Sequence, residues 1–500
     1  MSDHRVAIIG SGFSGMGMAI RLLEEGMEDF VVLERADDVG GTWQANRYPG
    51  CQCDIPSHLY SFSFAPNPDW SRTYSKQAEI WDYMRRVAED YGVMPYIRFE
   101  HEVTGAQWDE EAQHWSLASS RGEITADVVV AGIGGLSEPS IPLIPGLDSF
   151  RGPAFHTAAW DDDHEVTGER VAVIGTGASA IQTVPNIQPL VKRLKVFMRT
   201  PPWVVPHSDR RVTSLERRIY RRVPAAQRLV RSMIYWSHEL MVLGLVHNPA
   251  RMKLAERLAK AHMRLQVPDP ELRRRLTPDY RIGCKRILPS NLFYPAIQEP
   301  NVELVTEGIR EIESDAIVTT DGKRHEVDTI VFGTGFHVTD IKAARWIRGR
   351  DGVLMSDVWG RSPSAYLGVA VAGFPNLFFV SGPNTATGHQ SQLFMIESHI
   401  DYVLDALRTM ERRGLQTVEV RPEVQEAFNR DLQARMPGTV WNSGGCSSWY
   451  LDANGNNATI WPDFTWRFRR RTRRFEPGKY TSRPALSGRA AAEQAAGAAA

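Results

Sequence analysis

Arg5-Val-Ala-Ile-Ile-Gly10-Ser-Gly12-Phe-Ser-Gly15 returns later in the chain as Arg170-Val-Ala-Val-Ile-Gly175-Thr-Gly177-Ala-Ser-Ala180. An apolar run, a glycine turn and a run of helix formers make the strand–turn–helix opening of a dinucleotide-binding βαβ unit. The first glycine makes the tight turn, and the second lets the backbone approach a pyrophosphate. The third, or an alanine, lets the helix lie close on the strand. The helix N-terminus then offers free N–H groups and the positive end of its dipole to phosphate. One such match is weak evidence. Two, each opening the same unit, predict an α/β chain with two Rossmann-like dinucleotide-binding domains.

The residue closing the second strand of each unit touches the adenosine ribose. In the first copy Glu34 follows Phe30-Val-Val-Leu33; in the second Arg199 follows Leu194-Lys-Val-Phe-Met198. A carboxylate suits free ribose hydroxyls, whereas a guanidinium suits a 2′-phosphate by charge and bidentate geometry. The first site is therefore expected to hold FAD and the second NADPH, with Thr200 adding a hydroxyl donor. The plain alternative for Arg199 is a solvated strand-end cation.

With 500 residues the chain is long enough for two or three domains. A formal net charge of −1 supplies no global field for nucleic acid, so any basic preference is local. Cys51, Cys53, Cys284 and Cys446 are too few and too scattered for a disulfide framework or a four-ligand zinc site, which predicts a reducing, cytoplasmic setting. No export signal is read before the first strand, and Leu240–Val246 is less than half of the roughly 20 apolar residues of a spanning helix.

The expected organisation is a first part of the FAD domain over 1–145, then a linker and the first part of the NADP domain over 146–208. A helical insertion fills 209–282, where Leu215-Glu-Arg-Arg-Ile-Tyr220 and Met252-Lys-Leu-Ala-Glu-Arg-Leu-Ala259 carry helical spacing. Its arginines read as a solvated face. The NADP domain resumes over 283–342 and the FAD domain over 343–483, with a disordered Ala-rich tail over 484–500. Trp466-Arg-Phe-Arg-Arg-Arg-Thr-Arg-Arg-Phe475 reads as an edge strand whose arginines resist strand addition, rather than as a nucleic-acid patch.

A two-dinucleotide flavoprotein could be a disulfide reductase, but that chemistry uses cysteines two or four residues apart, and only one residue separates Cys51 from Cys53. Between the two loops, Phe150, Gly152, His156, Trp160 and Asp161 match F-x-G-x-x-x-H-x-x-x-W followed by P or D, the fingerprint of type I Baeyer–Villiger monooxygenases. A second stretch, Gly40-Gly41-Thr42-Trp43 with Tyr48-Pro49-Gly50 and Asp54, resembles that family's longer pattern. The resemblance covers residues 1 to about 480. Two departures are Gly333-Thr-Gly335 for the family's frequent Ala-Thr-Gly, and Ala180 for the third glycine.

The resemblance implies an NADPH- and O2-dependent enzyme that converts a ketone to an ester or lactone through a C4a-peroxyflavin and a Criegee-type adduct. Both species are anions, so a fixed cation beside them is worth several kcal/mol. Arg286, in Gly283-Cys-Lys-Arg286, is the implied catalytic cation, with Asp54 as the carboxylate that holds it and Lys285 near the 2′-phosphate. Further cofactor contacts are implied at Gly10, Gly12, Phe13, Ser14, Gly15, Glu34, Arg35, Gly41, Thr42, Trp43, Tyr60 and Val103. On the nicotinamide side they are Gly175, Thr176, Gly177, Ala178, Ser179, Gln182, Arg199, Thr200 and Trp449. His156 and Trp160 are implied linker residues, not a general base and its partner. The rivals are an N- or S-oxidising flavin monooxygenase, which usually has Tyr or Phe where Trp160 stands, and a flavin redox partner or sensor that does not oxygenate.

Overall fold

The computed structural model describes residues 2–484. Both glycine loops open parallel sheets. His4–Ile9 lies between Phe30–Leu33 and Gly122–Ala131, parallel to each, in an eight-stranded sheet. Its inner strands are apolar on both faces because layers cover both sides, as parallel sheets require. The antiparallel strands Val103–Asp109 and His114–Ser119 extend this sheet, and two later strands join it: Ile347–Arg348 beside Val103–Asp109, and Leu377–Phe379 beside Gly122–Ala131. The second sheet has five parallel strands in the order Val302–Val305, Arg193–Phe197, Arg170–Ile174, Thr329–Phe332, Ala154–His156. Between its second and outermost strands the chain forms the helices Ser214–Arg222, Pro224–Glu239, Met252–Gln266 and Pro270–Leu276.

The two glycine loops solve one packing problem in different ways. A Cβ on Gly15 would fall 1.8 Å from the Gly10 carbonyl oxygen, so the first helix sits as close to its turn as glycine permits. In the second unit Ala180 occupies the matching place, and a Cβ on Gly333 would lie 2.9 Å from the Ala180 Cβ. The two departures from the family pattern are therefore coupled: the strand gives up a methyl where the helix has gained one.

Three expectations need correction. Cys284 and Cys446, separated by 162 residues, form a disulfide, because the segment before Arg286 and the loop before Trp449 fold against each other. Scatter along the sequence did not measure distance in space, and the reducing setting inferred from it loses that support. Trp466–Phe475 is not an edge strand: Thr465–Arg471 is helical, with Thr465, Phe468, Thr472 and Phe475 buried at helical spacing. The short aromatic–arginine alternation imitated a period of two, but the longer period decides the fold. Pro484, assigned to the tail, ends the strand Tyr480–Pro484, paired with Leu415–Val420; the rest of that tail, 485–500, lies outside the described residues.

Candidate active site

A cleft of about 1020 Å³ runs between the two sheets. Thr42, Trp43, Asp54 and Tyr60 line it from one side, and Gly175, Thr176, Gly177, Ala178, Ser179, Gln182, Arg199 and Thr200 from the other. Lys285, Arg286, Trp449 and Tyr450 complete its wall. Gly10, Gly12, Phe13, Ser14, Gly15, Glu34 and Arg35 lie outside this lining, around the end of the first strand, where an ADP moiety would meet the helix N-terminus. Val103 is not brought to the cleft; it packs into the core under the eight-stranded sheet.

The strongest polar contact in the wall joins residues far apart in sequence. Arg286 donates from Nε to Asp54 Oδ2 and from Nη2 to Asp54 Oδ1, both at 2.8 Å, and from Nη1 to the Thr387 carbonyl at 3.2 Å. Both side chains are about a quarter exposed, Arg286 26% and Asp54 23%. Burial opposes the guanidinium charge, but the charge and hydrogen bonds of Asp54 outweigh it and raise the Arg286 pKa further above its ordinary value. The cation is permanent. Three of its five N–H groups are committed, which leaves two for a ligand. Beside it the phenol of Tyr450, almost fully buried, is pushed up to about 12 by burial and stays a neutral hydroxyl. Sequence reading singles out neither Tyr450 nor the Thr387 carbonyl as a partner of Arg286.

Trp43 and Tyr60 form a second wall, with Trp43 Nε1 donating to Tyr60 Oη at 3.0 Å and their rings edge to face at 5.5 Å. Phe13 meets Tyr60 edge-on at 5.5 Å, which links the first helix to this wall. Gln182 joins the two sides directly: its Oε1 accepts from Tyr48 Oη at 2.9 Å and from the Gln52 backbone N–H at 3.2 Å, and its Nε2 donates to the Gln52 carbonyl at 2.9 Å. Cys51 and Cys53 are buried thiols, with the Cys51 pKa pushed up to about 12 by burial and Cys53 raised for the same reason. Neither is the thiolate that dithiol exchange needs.

Both loops fit dinucleotides. Gly41, at φ +53°, would place a Cβ 2.9 Å from the Gly12 Cα, so backbone alone forms that cradle. Gly175, at φ +119°, would place one 2.3 Å from the Gly333 carbonyl oxygen. Glu34 is buried, its carboxylate held by the Ser11 backbone N–H and hydroxyl, each at 2.7 Å. Arg199 is exposed to the cleft, and Thr176 Oγ1 donates to the Thr200 carbonyl at 3.0 Å. The Lys285 pKa is lowered, first by burial and then by the nearby charge of Arg199. Two cations held within each other's field are relieved by an anion placed between them, as a 2′-phosphate would be.

The fingerprint stands behind the cleft. A Cβ on Gly152 would meet the Asp328 carbonyl oxygen at 1.9 Å, which requires glycine there. Phe150 packs on the core beneath the five-stranded sheet, and Asp161 Oδ1 accepts from the Asp163 N–H at 3.1 Å. His156 is buried at the edge strand, its Nδ1 accepting from the Ala158 N–H at 3.0 Å, and burial lowers its pKa. Its ring stands edge-on to Phe336, a cleft residue, at 5.4 Å. Trp160 packs against the main cores of both halves.

Comparisons with known proteins agree with this geometry. A family model described as Flavin-binding monooxygenase-like matches residues 3–340. The chain is 50% identical over 498 residues to a Baeyer-Villiger monooxygenase of Streptomyces coelicolor, covering 99% of this chain and 96% of that protein. It is 50% identical over 478 residues to a Baeyer-Villiger monooxygenase of Pseudomonas aeruginosa, covering 95% and 91%. Among solved structures, cyclohexanone monooxygenase from Rhodococcus sp. Phi1 bound to NADP+ superposes with a TM-score of 0.85 at 30% identity, covering 96% of this chain and 99% of that one. With two dinucleotide loops in one fold and relatives matched almost end to end, the chain belongs to the flavin-binding monooxygenase-like family, as an FAD- and NADPH-dependent flavoprotein of its Baeyer–Villiger group.

Proposed function

We propose that the cleft oxygenates a ketone to an ester or lactone, with Arg286 as the cation that stabilises the developing oxyanion and Asp54 as the group that positions it. The observation that carries this reading is the bidentate Arg286–Asp54 pair, fixed from a third direction by the Thr387 carbonyl and facing the cleft with two free N–H groups. Bound FAD, reduced by NADPH, supplies the activated oxygen. Arg286 meets the negative charge that forms at the former carbonyl oxygen, and it does so without a proton to lose. Trp43 and Tyr60 narrow the cleft and exclude water, while Tyr450 offers a neutral hydroxyl beside the cation.

On the nicotinamide side Arg199 and Lys285 hold the 2′-phosphate, and Trp449, 45% exposed at the cleft mouth, covers the bound dinucleotide. Residues 1–145 with 343–483 form the flavin half, and 146–208 with 283–342 the nicotinamide half; the sharing of strands within each sheet supports that division. His156 and Trp160 brace the connection between them. No helix among the described residues is long and apolar enough to cross a membrane, and the need for NADPH favours a cytoplasmic location.

Holoenzyme supplied with NADPH and a panel of ketones, thioethers and amines tests the reaction through product mass. Esters or lactones are expected from the ketones. Sulfoxides or N-oxides alone would replace this reading with that of an N- or S-oxidising enzyme, and NADPH oxidation with no oxygenated product with that of a redox partner.

A further inference from the structure

The helix Pro224–Glu239 carries apolar side chains on two faces: Ile234 and Tyr235 pack against the main core, with Tyr235 stacked on Phe394 at 4.9 Å. Polar anchors hold the same inward side: Gln227 donates to the Asn67 carbonyl at 2.7 Å, Arg231 to the carbonyls of His58 and Ser61 at 2.9 and 3.0 Å, and His238 Nδ1 lies 2.9 Å from the His389 carbonyl. Its outward face carries Leu229, Met233, Trp236 and, at its boundary, Leu240, exposed by 62, 64, 54 and 65%. Their spacing of four, three and four residues puts them in one narrow stripe. A surface helix normally buries such a stripe and turns its polar residues to water.

The neighbouring helices also expose apolar side chains. Ser214–Arg222, packed against the first, exposes Leu215 and Ile219 with Arg218 and Arg222 on the same side. Met252–Gln266 exposes Leu254 and Leu258 with Arg257 alongside. Arg218, Arg222, Arg228 and Arg257 make no ion pair among the described residues. Residues 209–282 hold 17 Lys and Arg against 7 Asp and Glu, a net +10 in a chain of net −1.

From the exposed leucine, methionine and tryptophan rows flanked by unpaired arginines, we infer that the helical insertion is a docking surface for an anionic lipid bilayer. Apolar side chains enter the region between headgroups and acyl chains while the flanking guanidinium groups meet lipid phosphates. Charge decides against a second copy of this chain as the occupant, because dimerisation through this face would bring the exposed Arg218, Arg222, Arg228 and Arg257 of two copies together. The docking is peripheral, consistent with the absence of a spanning helix among the described residues. The inference concerns binding and is independent of the oxygenation reading.

The test is co-sedimentation of the FAD-loaded protein with vesicles of phosphatidylcholine containing phosphatidylglycerol, and with vesicles of phosphatidylcholine alone. Binding to the anionic vesicles is expected, weakening with salt, with partitioning about fivefold lower for each arginine removed in Arg218→Gln and Arg222→Gln. Met233→Ser with Trp236→Ser is expected to lower partitioning at least about tenfold while NADPH still reduces the flavin, which reports an intact fold. Equal binding to neutral vesicles, no binding to either, or unchanged binding of these variants overturns the inference. So does a dimer that the Met233→Ser/Trp236→Ser variant dissolves.

Discussion

Replacing Asp54 separates the position of the Arg286 cation from its presence. In Asp54→Ala the guanidinium keeps its charge and its bond to the Thr387 carbonyl but loses two charge-assisted hydrogen bonds of 2.8 Å. Bonds of this kind contribute about 1.5–3 kcal/mol each. The low end applies here, because both side chains are about a quarter exposed and partly screened. The lost orientation is then worth about 3 kcal/mol in all, and if it is expressed in the transition state, turnover falls about 100-fold. Asp54→Asn retains one acceptor oxygen and is expected to lose about tenfold. The assay pairs stopped-flow reduction of the flavin by NADPH with quantitation of ester per NADPH consumed. Reduction stays within about twofold of the parent in both variants, because neither touches the 2′-phosphate site, while ester yield drops in the order Asn, then Ala. Parental turnover in Asp54→Ala would refute the positioning role, and equal loss of reduction and ester formation would show that the pair supports the fold instead.

Three other outcomes follow from the geometry. Arg199→Ala raises the Michaelis constant for NADPH by about tenfold or more and leaves that for NADH nearly unchanged; an equal effect on both would remove Arg199 from the phosphate site. Gly333→Ala destabilises the protein by about 1–3 kcal/mol because its methyl meets Ala180, and Ala180→Gly added to it restores part of the loss; additive effects in the double mutant would contradict the coupling. Burial depresses the His399 pKa to about 4, so the folded state binds fewer protons than the unfolded one between pH 4 and 6.5. Stability is therefore lost as pH falls through that window, and His399→Gln is expected to flatten the dependence of Tm on pH there; an unchanged slope would count against it.

The features legible in the sequence were local ones. The glycine loops, the strand-end residues Glu34 and Arg199, and the fingerprint each lie within a short continuous stretch of chain, where spacing and side-chain type set the local geometry. Arg286 and Asp54 are 232 residues apart, and neither stands out by composition, so only the family resemblance joined them before the structure did. The Thr387 carbonyl is invisible to sequence reading because a backbone acceptor has no residue signature. The Cys284–Cys446 bond depends on the folding of a late loop back onto the Arg286 segment. In Thr465–Arg471 the local pattern misled, since four alternating residues fit a strand and a helix equally well until Phe468 and Thr472 are seen to share one buried face. Gly333 and Ala180 looked like independent departures, yet their contact makes them one substitution shared between a strand and a helix.

The most direct measurement is a single turnover of Arg286→Ala with NADPH, oxygen and a ketone. The account predicts that NADPH bleaches the flavin at close to the parental rate while ester per NADPH falls by about 100-fold or more, with reoxidation releasing hydrogen peroxide. Ester formation at the parental yield would contradict it.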